Sequence, residues 1–65
     1  MKINVISRAG MRHLLAKRDR VGLFLALEDG PCGPVLVACR NLRDAFAAEE
    51  FRSVGDAVGW LGRED

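Results

Sequence analysis

Apolar residues fill both sides of an extended stretch in the middle of the chain. Residues 21–28 alternate two apolar sets, with Val21, Leu23, Leu25 and Leu27 on one side and Phe24 and Ala26 on the other. A strand that is apolar on both sides is typical of the centre of a sheet that is covered on both faces. Residues 29–34 hold two Gly and two Pro and predict a turn, and residues 35–40 alternate again. We therefore expect an antiparallel hairpin.

The N-terminal segment predicts an edge strand and then a helix. Residues 2–7 mostly alternate, which indicates a short strand. Ser7 precedes residues 8–19, whose stripe at helical spacing is Met11, Leu14, Leu15 and the aliphatic stem of Arg18. A strand over residues 11–16 with a tight turn at 17–20 is the competing interpretation, and we favour the helix.

The C-terminal third contains one ambiguous segment and one well-marked helix. Residues 41–51 fit a helix that begins at Asn41 with Asp44 three positions later, but they do not exclude a strand. Ser53 is a candidate N-cap, and Asp56 follows it at the third helical position. An apolar stripe then recurs at Val54, Ala57, Val58 and Leu61 before Gly62 ends the helix. Gly55 and Gly59 are costly inside a helix, and we expect them to permit close packing on the sheet or on a second copy.

These elements predict one small α+β domain over residues 1–65. The order is β-α-β-β-α, with a three-stranded, mostly antiparallel sheet whose one face carries both helices. The opposite face of the hairpin then needs another cover. A homodimer that shares a core or pairs strand edges would supply it, since a 65-residue chain buries only about 60% of its unfolded surface.

The charge is unevenly distributed although the total is only +1. Residues 1–20 carry six cations and one acid, whereas residues 41–65 carry three cations and six acids. The composition has eight Arg to two Lys, eight Ala and seven Gly, which favours a GC-rich bacterial or phage source. The sequence shows no apolar stretch of membrane-spanning length and no secretory signal, so we expect a cytoplasmic protein without membrane partners.

The sequence offers little that suggests catalysis or metal binding. Cys32 and Cys39 would lie roughly 20 Å apart along an extended chain, too far for a disulfide, and no tetrahedral ligand set accompanies them. His13 is the only histidine and is predicted to face solvent, while the adjacent Glu49 and Glu50 would not converge. The sequence contains no phosphate-binding glycine loop. We expect no enzyme activity, no metal and no cofactor.

Two features suggest binding surfaces. If the first helix continued past residue 19, a basic stripe would combine His13, Lys17 and Arg20, with Arg12 beside them. Such cations can contact successive phosphates or an acidic protein surface. Trp60 lies at the flank of the last helix, where it either caps the core or anchors an interface.

We predict a small non-enzymatic protein that regulates or inhibits another macromolecule by binding it. Its partner would be a protein or protein complex, and the contact residues would come from the basic stripe and Trp60. The alternative is a nucleic-acid-binding module that uses the basic N-terminal segment. The absence of aromatic residues among those cations and a pI near 7.8 weigh against that alternative.

Overall fold

The computed structural model describes residues 2–63 and shows an α+β fold with one mixed sheet. The elements are β1 (Ile3–Val5), α1 (Arg8–Lys17), β2 (Gly22–Gly30), β3 (Gly33–Asn41), β4 (Phe46–Phe51) and α2 (Val54–Leu61). The four strands lie in chain order across the sheet. β1 runs parallel to β2, and the other neighbours are antiparallel. The predicted class and two helices are confirmed, but the sheet has four strands instead of three.

The central hairpin is longer than the sequence pattern predicted. Its ladder runs continuously from Gly22–Asn41 to Gly30–Gly33, so only Pro31 and Cys32 remain in the turn. The prediction that all of residues 29–34 form the turn was therefore wrong at both ends. Gly33 has φ +113°, a backbone conformation that glycine adopts without a steric penalty, and this lets the chain reverse within two residues.

The additional strand is the segment that the sequence left ambiguous. Leu42 and Ala45 exchange backbone hydrogen bonds of 2.8 and 3.3 Å around Arg43 and Asp44, so the chain reverses directly after β3. Residues Phe46–Phe51 then pair with β3 over six positions. The three-stranded prediction was wrong because pairing of the β3 edge outweighed a weak helical pattern.

The two helices lie on opposite faces of the sheet, which corrects the prediction that both cover one face. On the α1 face, Met11 and Leu14 join a buried cluster from β2 and β3: Phe24, Ala26, Val35, Val37 and Cys39. On the α2 face, Ala57 and Leu61 pack against Leu25 and Ala38. Because the hairpin is apolar on both sides, each side needs a helix. A second copy is therefore not required as the cover of a bare face.

α1 begins as predicted but ends earlier. The Ser7 side chain accepts a hydrogen bond of 3.0 Å from the Gly10 backbone N–H, which confirms the helix start at Arg8. The helix ends at Lys17, because Arg18 adopts the left-handed conformation with φ 53° and ψ 38°. The guanidinium of Arg18 lies 4.4 Å from the centre of the Phe46 ring instead of extending the apolar stripe.

α2 is capped as predicted but packs through fewer residues. Ser53 accepts a hydrogen bond of 3.1 Å from the Asp56 backbone N–H. Ala57 and Leu61 are buried, whereas Val54 is 59% exposed and does not belong to the core. Gly55 and Gly59 face outward. A Cβ atom at either position would have no sheet atom within 4 Å. The small residue that touches the sheet is therefore Ala57, and the expectation that these glycines allow close packing on the sheet was wrong.

Candidate partner-binding surfaces

The arginines of α1 are paired with acids of the hairpin. The Arg8 guanidinium forms an ion pair and hydrogen bond with the Asp29 carboxylate. Arg12 lies 3.8 Å from a carboxylate oxygen of Glu28, whose side chain is only 15% exposed. Both acids lie in β2 near its turn. Part of the N-terminal positive charge is thus neutralised within the fold.

His13 forms a local contact with the segment that follows α1. Its Nε2 lies 2.7 Å from Oδ2 of Asp19, as a donor to this carboxylate. This hydrogen bond, with a smaller charge attraction from His13, lowers the pKa of the Asp19 carboxyl below its ordinary value. The pair links the middle of α1 to the connection that follows it, which favours a structural role for the only histidine.

The structure brings together only part of the predicted basic stripe. Arg12, His13 and Lys17 lie on the exposed side of α1. Arg20 does not continue that stripe, because the helix has ended three residues earlier. The Asn41 side-chain amide donates to the Arg20 backbone carbonyl, which fixes this segment at the end of the sheet. The prediction that Arg20 shares a helical face with Lys17 was wrong.

Trp60 lies on the other side of the sheet from the basic residues. Its ring centre is 5.7 Å from that of Phe51, and the two planes are tilted by 48°. The Arg40 guanidinium lies 4.7 Å from the indole centre and also donates to the Trp60 backbone carbonyl. The half-buried indole therefore closes the edge of the α2 core. Trp60 and the α1 cations cannot form one continuous site.

The two cysteines and the acids supply no reactive cluster within residues 2–63. Cys32 is exposed at the hairpin turn and Cys39 is buried on the α1 face, and both are free thiols. Burial raises the pKa of the Cys39 thiol, which makes it less reactive. No group of three or more His, Cys, Asp or Glu side chains in this range has the geometry to hold a metal ion.

An exposed aliphatic surface on the α2 face was not anticipated from the sequence. Val5 is 80% exposed and Leu27 is 59% exposed, and both project to the α2 face from neighbouring strands. Val54 lies one helical turn before the buried Ala57 and is also 59% exposed. α2 packs on β3 and β4, and Ile3 of β1 and Leu25 of β2 still contact its core cluster. Val5 and Leu27 lie beyond that cluster and stay exposed. We call Val5 and Leu27 the apolar patch.

A second surface lies where the loops meet at the opposite end of the hairpin from its turn. The α1–β2 and β3–β4 connections line one groove there, with Arg18 and Arg43 on its walls and Asp44 beside them. Arg20 is held at the same end through Asn41. Among residues 2–63, neither Arg18 nor Arg43 forms an ion pair with a carboxylate. We call Arg18, Arg20 and Arg43 the cationic end.

Comparison with known proteins gave no match: no protein-family model, no curated protein and no solved structure resembles the chain significantly. None of the helices within residues 2–63 has the length and apolar character needed to cross a membrane.

Proposed function

We propose that this chain is a non-enzymatic protein that regulates or inhibits another macromolecule by binding it, and that its partner is a protein. The observation that carries the proposal is the apolar patch. Aliphatic side chains on one face of a sheet, 59–80% exposed, form a surface that gains free energy when another protein covers it. A cytoplasmic location belongs to the same proposal.

The charge arrangement favours a protein over a nucleic acid as the partner. A polyanion would have to displace Glu28, Asp29 and Asp19 from Arg12, Arg8 and His13. The apolar patch offers no cation for a phosphate. Arg12, His13, Lys17, Arg20 and Trp60 remain predicted contact residues. Because they lie on different sides of the molecule, we assign the cations to steering of the approach and the apolar patch to the contact itself.

The test is affinity capture from a lysate of the source organism, followed by binding measurements with the captured protein. The variant Val5→Ser with Leu27→Ser removes the apolar patch without opening the core. We expect it to lose the partner that the wild type retains. Val21→Ser is the matched control, because Val21 is 63% exposed elsewhere and its variant should bind normally. Unchanged capture by the double variant would contradict the assignment to the apolar patch.

Nucleic-acid binding is the second candidate, and the cationic end favours it. Several arginines without a carboxylate partner at one end of the molecule can contact phosphates, and each contact makes the affinity depend on salt. Titration of generic DNA and RNA at increasing salt concentration tests this. If the protein binds, Arg20→Glu with Arg43→Glu should weaken binding strongly and reduce the salt dependence of the binding that remains. Failure of the wild type to bind at low salt would exclude this candidate.

A further inference from the structure

The outer edge of β4 exposes backbone groups that no strand within residues 2–63 pairs. β4 is the last strand of the sheet, and alternate residues along it direct their N–H and C=O groups inward or outward. The backbone groups of Leu42 and Ala45 bond to each other, so the N–H and C=O of Ala45 point inward, towards β3. The backbone groups of Ala47, Glu49 and Phe51 also point inward, because they follow at every second position. The outward groups therefore belong to Phe46, Ala48 and Glu50.

The side chains along this edge have a charge pattern that is complementary to itself when reversed. Residues 44–52 begin with Asp44, carry Glu49 and Glu50 near their end, and finish with Arg52. Arg18 lies over the Phe46 ring at the start of the strand. Within residues 2–63, neither glutamate forms an ion pair. On the α1 face, the edge thus carries the Arg18 cation over its first residue and the Glu50 carboxylate near its end. Asp44 and Arg52, at the two extremes, have the opposite order.

We propose that two copies of this chain associate through β4, with the strands antiparallel and a twofold axis at Ala48, to form one continuous eight-stranded sheet. The backbone N–H and C=O of Phe46 in each copy would form hydrogen bonds with those of Glu50 in the other copy. The backbone groups of the two Ala48 residues would bond to each other. All three outward residues of each strand are then satisfied, which gives six hydrogen bonds across the axis.

Other registers are excluded by charge and by the pleat. A twofold axis perpendicular to the sheet keeps each face continuous and pairs outward residues with outward residues. Centring the axis on Glu49 or on Glu50 sets that carboxylate directly against its own copy, which is destabilising. Centring the axis on Ala47 places the outward N–H and C=O of Glu50 opposite the turn at Asp44 of the other copy, where they find no strand to pair with. Only the axis at Ala48 pairs the whole strand and keeps every glutamate away from a glutamate.

In this register unlike charges meet on the α1 face. Glu50 lies opposite Phe46 of the other copy, where the Arg18 guanidinium rests on the ring. The carboxylate and the guanidinium therefore come together twice, once on each side of the axis. Asp44 of one copy also lies at the same end as Arg52 of the other. A different protein strand would match these charges only if it had the same sequence pattern.

The axis also brings together apolar surface that α1 leaves open. Leu15 is 37% exposed and borders a shallow cleft with Val37, Ala48 and Glu50. Because Ala48 is small, the two copies can approach closely over the axis. The Leu15 side chains of the two copies then flank the Ala48 pair and cover it.

Two neighbouring proline substitutions test the pairing. Ala48→Pro removes an N–H that points outward, which an edge strand tolerates, so the monomer should fold normally and not dimerise. Ala47→Pro removes an N–H that bonds to β3 and should destabilise the fold itself. Light scattering should give twice the 7.1 kDa chain mass for the wild type and a single chain mass for Ala48→Pro. A wild type that is monomeric at high micromolar concentration overturns the proposal, as does a dimeric, folded Ala48→Pro.

A charge exchange tests the register. Glu50→Arg and Arg18→Glu should each raise the dissociation constant of the dimer about tenfold, and the double variant should restore it, because the same pair is re-formed with reversed signs. Asp29→Arg reverses an exposed carboxylate in β2, which β3 separates from β4, and should leave the dimer intact. If both single variants dimerise like the wild type, this register is wrong. The outcome is independent of the apolar patch, whose variants should still dimerise.

Discussion

The two faces of the sheet bury the same hairpin to different extents. On the α1 face, Met11 and Leu14 are fully buried over a Phe24 that is 3% exposed. On the α2 face, Ala57 and Leu61 are buried, but Leu27 on the same side of the sheet is 59% exposed. The α1 face is closed over its central strands, whereas the α2 face leaves Val5 of β1 and Leu27 of β2 exposed.

The difference follows from the dimensions and side chains of the helices. A helix about 10 Å wide covers roughly two strands that are about 4.8 Å apart, so one helix cannot cover four strands. α1 fills its side with long residues over β2 and β3. α2 contacts the sheet through Ala57 and Leu61, and this cluster does not reach Val5 or Leu27. The apolar patch lies in the part of the α2 face that α2 does not cover. The β4 edge borders the part of the α1 face that α1 does not cover.

Truncation of a core residue on the α1 face should have the largest effect. Leu14→Ala removes a fully buried side chain and should lower the free energy of unfolding by about 2–5 kcal/mol. Leu27→Ala, on the α2 face, should change it by less than about 0.5 kcal/mol, because that side chain already contacts water. Urea denaturation of both variants measures this contrast. Equal losses would show that the apolar patch is covered in solution.

Enlarging the residue between α2 and the sheet should have an intermediate effect. Ala57→Leu forces new atoms between α2 and Ala38 and should cost about 1–3 kcal/mol. Gly59→Ala, on the outer side of the same helix, meets nothing within 4 Å and should stabilise the protein by about 0.5–1 kcal/mol. Thermal unfolding distinguishes the two shifts by sign. A neutral Ala57→Leu would mean that α2 does not pack closely on the sheet.

Lowering the pH should destabilise α1 before α2. We expect this effect to be smaller than those of the two core substitutions. The three ion pairs formed among residues 2–63 all involve α1. The folded state lowers the pKa of the Asp19 carboxyl, so its contribution is present above the unfolded pKa and is lost as the pH falls through the folded pKa. Asp19→Asn should remove part of this dependence. Amide hydrogen exchange along α1 and α2 at decreasing pH measures it, and earlier loss of protection in α2 would contradict the expectation.

Local signals in the sequence were sufficient for the helix starts and the central hairpin. Ser7 and Ser53 are followed by backbone N–H groups that their hydroxyls bond, and this depends only on residues within one helical turn. The alternation in residues 21–28 and 35–40 likewise predicts paired strands by itself. The predicted end of α1 failed because residues 18–20 carry no strong stop signal, and Arg18 turns there to reach Phe46.

For the candidate surfaces, the sequence alone determined which residues carry charge and which are apolar. Only the tertiary structure decided where those residues lie. Arg12 and Arg8 find acids from β2, Trp60 lies across the sheet from them, and residues 46–51 become a strand because the edge of β3 needs hydrogen-bond partners. Such outcomes depend on contacts between segments twenty or more residues apart. The periodicity of one segment contains no information about which face its neighbour will cover.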